Sequence, residues 1–158
     1  MEFFTIGVYN TTEEEYFARL KAHNIDTFCD IRQRRGVRGA KYAFVNSMRL
    51  QAKLKELDIQ YEHIKGLAPT AEIRNSQKAA DLQNNELKRN RSALGEVFIR
   101  EYKNKIISNF NFDNFIEKLD KIGAWRVVLF CVEEKPEACH RSIVADSLKQ
   151  MNYKIHHL

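Results

Sequence analysis

The sequence predicts an α/β protein, a three-layer sandwich in which helices cover both faces of an open, mostly parallel sheet of about five strands. Two observations carry this expectation. Short strand-like apolar runs alternate with helix-like patterns along the whole chain, and parallel neighbours in a sheet need crossover connections of that kind. One run, Val127-Val128-Leu129-Phe130-Cys131, is apolar at every position, as expected of a strand covered on both faces at the sheet centre.

The elements follow in order. Phe3, Phe4, Ile6 and Val8 form a first strand that ends in a tight turn over Gly7 to Asn10. A helix then starts, because Thr11 with Glu14, or Thr12 with Glu15, has the spacing of a capping box, and Tyr16, Phe17 and Leu20 supply a buried stripe. Ile25 to Ile31 is a second strand, and it delivers Asp30 and Arg32 into a loop containing Gly36 and Gly39. Asn46 or Ser47 caps the next helix, which carries Leu50, Leu54 and Leu57, and a third strand runs through Ile59, Tyr61, His63 and Ile64 to Gly66 and Pro69.

Thr70 to Arg91 is polar and favours helix, with Ile73, Ala79, Ala80 and Leu82 as its apolar positions; it reads as an exposed helix. Phe98, Tyr102 and Ile106 recur every four residues, and Phe112, Phe115, Ile116 and Leu119 resume the helical pattern after a break near Asn111. Trp125 to Val132 is the fourth strand. Glu133 to Ala138 is a loop, Val144, Leu148 and Met151 mark a final helix, and Tyr153 to Leu158 is the last strand. The expected organisation is a single α/β domain over 1–158 with a helical excursion at about 70–120.

Composition narrows the function. With 158 residues, 44% of them hydrophobic and 30% charged, the chain can bury one sizeable core. It contains no apolar run of about 18 residues, and Met1-Glu2-Phe3-Phe4 begins neither a secretory signal nor a transit peptide. The expectation is a cytoplasmic protein with no membrane partner. Cys29, Cys131 and Cys139 are then reduced thiols rather than a disulfide framework. The formal net charge of +5 is local in origin: between Asp30 and Glu56 there is no acidic residue, yet Arg32, Arg34, Arg35, Arg38, Lys41, Arg49, Lys53 and Lys55 all fall there.

In open parallel sheets, ligands bind outside the carboxyl ends of the strands. That rule selects Gly7, Tyr9 and Asn10 after the first strand, Asp30 and Arg32 after the second, His63 after the third, and Cys131 to Arg141 after the fourth. In the last of these, Pro136 fixes a loop and a helix starts near Cys139, where unpaired N–H groups favour negative charge. A thiol there, beside His140 and Arg141, ionises more readily than a free one.

Two uses of this segment follow. The helix start, Arg141 and Arg32 can bind a phosphate or carboxylate, and Cys139 or Cys131 can act as a nucleophile with Glu133 or His140 as acid or base. No cofactor is expected. A tetrahedral zinc site from Cys131, Cys139, His140 and His63 is the competing arrangement. Against it stand the long gap between the cysteines and the adjacency of Cys139 and His140, which on a helix point in different directions. Cys29, in mid-strand, reads as core. The basic stretch is either a solvated surface or a nucleic-acid footprint built on Arg34, Arg35, Arg38 and Lys41. Tyr42 and Phe44 lie within it and can stack a base, although Phe44 can equally anchor the loop to the core.

The run Cys131-x-Glu133-x-x-Pro136-x-x-Cys139-His140-Arg141, with Thr5-Ile6-Gly7, Asp30-x-Arg32 and Tyr61-x-His63, resembles the prokaryotic domain of unknown function 488 family over essentially the whole chain. The stretches Arg34-Arg35-Gly36-Val37-Arg38-Gly39 and Leu67-Ala68-Pro69-Thr70-x-x-Ile73-Arg74 resemble a basic-loop branch of it. The resemblance implies an α/β fold and a shared site, but no activity. Many relatives carry Gly-Gly where this chain has Ala68-Pro69, so a tight backbone contact with ligand there is not carried over. Asp30-x-Arg32 also resembles rhodanese-like domains, but Cys131 is not followed by their short anion-cradling loop, which leaves sulfur transfer a minor option.

The leading expectation is an enzyme acting on a phosphorylated, nucleotide or nucleic-acid substrate, most concretely by thiol-dependent transfer or hydrolysis. Its residues are Cys131, Glu133, Cys139 and His140 for chemistry, with Gly7, Tyr9, Asp30, Arg32, His63 and Arg141 for anion binding. The rivals are a non-catalytic nucleic-acid-binding module using the Arg32 to Lys55 loop, and a metal-braced structural protein.

Overall fold

The strand-forming residues assemble into one sheet in which every strand is parallel to its neighbours. In the computed structural model, which describes residues 1–83 and 92–158, the strands are β1 (Glu2–Ile6), β2 (Thr27–Asp30), β3 (Gln60–His63), β4 (Arg126–Phe130) and β5 (Ile155–His157). Their order is β3-β2-β4-β1-β5. β4 and β1 are buried almost throughout, as the unbroken apolar run predicts.

The helices are α1 (Glu13–Ala22), α2 (Ser47–Glu56), α3 (Ala71–Gln83), α4 (Glu96–Lys105), α5 (Phe112–Lys121) and α6 (His140–Gln150). From β1 the chain steps to β2 and then β3, and it returns across the sheet to β4 and on to β5. Right-handed crossovers put connections made in opposite directions on opposite faces. Consistent with this, Arg49 of α2 pairs with Glu13 of α1, while α4 packs against α6. The result is the expected three-layer sandwich. Among the described residues no helix is long and apolar enough to cross a membrane.

Of the two capping boxes, Thr12 with Glu15 forms: each side chain takes up the other residue's backbone N–H. Asn46 precedes α2 but does not cap it. Its Oδ1 accepts from the Val37 N–H instead, pinning the basic loop across nine residues. The helix expected over 70–91 is present as α3; residues 84–91 lie outside the described residues.

Chain direction reverses between β2, whose connection leads outward to β3, and its neighbour β4, whose connection leads the other way to β5. The loops following these two strands diverge and leave a crevice at their carboxyl ends. At the opposite end, Asp26 ties the sheet together by accepting from the backbone N–H groups of Trp125 and Arg126 and from the Thr27 hydroxyl. Asp26→Ala strands those donors and is expected to cost about 2 kcal/mol, read as a lower urea midpoint at unchanged slope.

Candidate functional site

A cleft of about 550 Å³ opens at the β2/β4 crevice. Its floor comes from the ends of these strands: Arg32 after β2, and Cys131, Val132 and Glu133 after β4, with His140 from the start of α6. One wall is the basic loop, through Arg34, Gly36, Val37 and Arg38, with Tyr9 beside it. The facing wall is α3, through Arg74, Gln77, Lys78 and Asp81, continued by Leu94 and Phe98. Among the described residues, five cations therefore meet two carboxylates in one cleft.

Arg32 is held from several directions. Its Nε donates to Asp30 Oδ1 at 2.8 Å, its Nη2 donates to Asp30 Oδ2 at 2.7 Å and to the Val45 carbonyl at 3.0 Å, and its guanidinium lies over the Phe130 ring. Asp30 is itself oriented by the Tyr61 hydroxyl at 2.9 Å. Only Nη1 is left, buried and without a hydrogen-bond partner among the described residues. Buried nitrogens of this kind are rare in native proteins, because the lost hydration is not repaid.

Behind Arg32 lies a cluster of two sulfurs and one imidazole. His140 Nδ1 stands 3.8 Å from Cys131 Sγ and 3.9 Å from Cys139 Sγ, and the three atoms lie within 4.8 Å of one another. His140 Nε2 is 3.1 Å from the Ile31 carbonyl. A carbonyl only accepts, so this nitrogen carries the proton. Glu133 Oε2 accepts from Cys131 Sγ at 3.3 Å. Burial pushes the Cys139 thiol up, but hydrogen bonding with Cys131, whose single S–H is shared between Cys139 and Glu133, and the charges of Arg141 and His140 outweigh it and leave the thiol well below its ordinary range. For His140, burial favours the neutral ring, and the sulfur of Cys139 and the carboxylate of Glu133 reverse this and raise it.

Adjacent Cys139 and His140 converge after all. Cys139 is the N-cap residue, with extended backbone (φ −139°, ψ 142°), and His140 is the first helical residue. The expectation of divergent side chains assumed that both sit inside the helix. His63 is not part of the cluster: its Nε2 contacts the Arg32 carbonyl at 2.9 Å, and the four-ligand zinc set that included it is corrected to three. Cys29 is fully buried, and burial pushes its thiol up.

Other expected site residues serve the cleft indirectly. Arg141 is fully buried and outside the cleft lining; Nη1 donates to the Glu133 carbonyl and Nη2 to the Glu134 carbonyl, so the side chain braces the loop after β4. Gly7 packs directly against that same Glu133 carbonyl. In the basic loop, Arg34 and Arg38 line the cleft, whereas Arg35 and Lys41 do not; the Lys41 ammonium sits over the Tyr42 ring. Phe44 is buried against Tyr16 and Phe17, which leaves it an anchor.

The α3 wall was missed by sequence reasoning. Arg74, Gln77, Lys78 and Asp81 follow i, i+3, i+4, i+7 spacing, the period of one helix face, but the stripe is polar and a search for apolar periodicity passes over it. Gln77 and Asp81 are nonetheless buried, joined by a 2.7 Å hydrogen bond, and Gln77 Oε1 accepts from the Gly95 N–H.

Fold and cleft together define a doubly wound, all-parallel α/β protein with a Cys-Cys-His cluster at its topological switch point. Within that class the chain belongs to the family described as domain of unknown function DUF488, whose profile matches residues 12–148. No match was found among curated proteins or among solved structures.

Proposed function

We propose that this protein is an enzyme acting on a phosphorylated, nucleotide or nucleic-acid substrate, bound in the β2/β4 cleft and transformed by group transfer or hydrolysis at the Cys131–Cys139–His140 cluster. The observation that carries this reading is Arg32 Nη1, a buried guanidinium nitrogen with no hydrogen-bond partner among the described residues, on a side chain that lines the same cleft as Cys131 and His140, with Arg34, Arg38, Arg74 and Lys78 around it. A charge-assisted bond to an anionic oxygen would satisfy that donor. Asp30, Tyr61 and Val45 hold Arg32 in place, Arg141 positions the loop that carries Glu133, and Glu133, which accepts from the sulfur of Cys131, serves as acid or base.

A cleft of this charge binds multivalent phosphate. Isothermal titration with pyrophosphate, nucleotides and short single-stranded DNA and RNA tests it. Binding is expected to weaken steeply with added salt, and Arg38→Ala with Lys78→Ala is expected to lower affinity about tenfold, or about 1.4 kcal/mol. Failure of every such anion to bind at low ionic strength would overturn the reading. Binding equally sensitive to Arg35→Ala and Lys41→Ala would instead favour the non-catalytic module that uses the whole basic loop, since those two side chains lie outside the cleft lining.

A further inference from the structure

The cluster geometry suits a metal ion better than a pair of hydrogen bonds. At 3.8 and 3.9 Å, the contacts from His140 Nδ1 to the two sulfurs are at the long end for hydrogen bonds to sulfur. For a tetrahedral ion with metal–sulfur bonds of about 2.3 Å and metal–nitrogen bonds of about 2.05 Å, the sulfur-to-nitrogen edge is about 3.6 Å. The two sulfur-to-nitrogen edges are close to this value and share one nitrogen, while the two sulfurs, within 4.8 Å of each other, close toward the tetrahedral edge of about 3.8 Å when the ion binds.

The ring orientation agrees. Because Nε2 donates to the Ile31 carbonyl, Nδ1 is the nitrogen that faces the sulfurs, and it offers its lone pair to a cation that displaces the Nδ1 proton. A histidine that binds metal through one nitrogen commonly fixes its tautomer by donating the other N–H to a backbone carbonyl in this way. The donor set, two sulfurs and an imidazole, is one that favours zinc.

We propose that Cys131 Sγ, Cys139 Sγ and His140 Nδ1 bind one zinc-class divalent cation whose fourth position opens to the cleft. Cys131 and His140 line the cleft, whereas Cys139 stands behind them. Three protein ligands with one open position are the pattern of catalytic zinc rather than of structural zinc. The inference rests on the reading of the cleft as an active site, because the open position gains meaning from the anion that Arg32 would hold beside it. Zinc there would act as a Lewis acid toward a substrate oxygen or would hold the attacking water, with the Glu133 carboxylate adjacent.

The test uses the full chain, stripped with a chelator and titrated with Co²⁺ and then with Zn²⁺. The expected result is one Co²⁺ per chain, a tetrahedral spectrum with a thiolate-to-cobalt charge-transfer band, displacement by Zn²⁺, and protection of Cys131 and Cys139 from iodoacetamide. Cys29→Ala and His63→Gln are expected to keep the spectrum, and Cys139→Ser to lose the band of one sulfur. If Cys139→Ser does not fold, the wild-type titration decides. No stoichiometric uptake, an octahedral spectrum without a sulfur band, or rapid alkylation of Cys131 in the metal-loaded protein would overturn the proposal. Pyrophosphate titration of the same samples separates the two readings. Anion binding without metal uptake removes only the metal, and metal uptake without anion binding removes only the substrate class.

Discussion

Gly7→Ala is expected to destabilise the protein by about 3 kcal/mol or more, at the upper end for an overpacked core position. A Cβ at position 7 would lie 1.9 Å from the Glu133 carbonyl oxygen, 2.8 Å from its carbon and 3.2 Å from Arg141 Nη2. Two of these neighbours are backbone, and the third is clamped, because Arg141 donates to the Glu133 and Glu134 carbonyls. The neighbouring backbone cannot yield easily either, since the N–H groups of Val8 and Tyr9 both donate to the Val132 carbonyl. Relief therefore means moving the loop after β4, and with it Glu133 away from Cys131. Urea denaturation would measure the loss, and Co²⁺ and pyrophosphate titrations below the unfolding transition would show whether the site is lost with it. A variant within about 0.5 kcal/mol of wild type would mean that this loop is free to shift.

Gly7 also shows what a single sequence reveals and what it hides. That it belongs to a strand-end turn is legible from local pattern; that it is required because a distant carbonyl presses on it is not, since Glu133 is far away in the chain. The strands were readable for the same local reason, as apolar runs between turn residues. Their ends were overrun by one or two positions. Val8, for example, has strand-like character but gives its N–H to Val132 in the loop beyond β4 rather than continuing the ladder.

Arg141 illustrates a different limit. A cation at a helix start next to a cysteine reads as an anion clamp, yet in the structure its guanidinium is used up largely on the carbonyls of its own preceding loop. Both uses call for the same residue at the same position, so only coordinates separate them. Arg32 went the other way: expected to bind an anion, it spends most of its guanidinium on Asp30 and Val45, and the unpaired Nη1 is visible only once Val45, Tyr61 and Phe130 are in place around it. The polar stripe of α3 closes the cleft from a segment whose lack of apolar periodicity had suggested only an exposed helix.

The second large effect is expected at Asp30. Asp30→Ala should cost about 3–5 kcal/mol, because it leaves the Arg32 cation buried without its counter-charge. Asp30 is fully buried and Arg32 is 4% exposed, so water cannot readily replace the lost carboxylate. Arg32→Met leaves the converse defect, a buried carboxylate with the Tyr61 hydroxyl as its remaining side-chain partner, and is expected to cost a similar amount. The double variant Asp30→Ala/Arg32→Met should then lose much less than the sum of the two, because the second change removes the charge that the first left stranded. Additive losses would show that the pair is not coupled and that each residue is held by its other contacts. Pyrophosphate titration, carried out well below each variant's unfolding temperature, separates fold from site. Asp30→Asn keeps both the shape and the Arg32 cation and is expected to bind, whereas Arg32→Met removes the buried Nη1 donor proposed to meet the anion and is expected not to. Equal binding by both would move the anion away from Arg32 Nη1 and onto the exposed rim of the cleft.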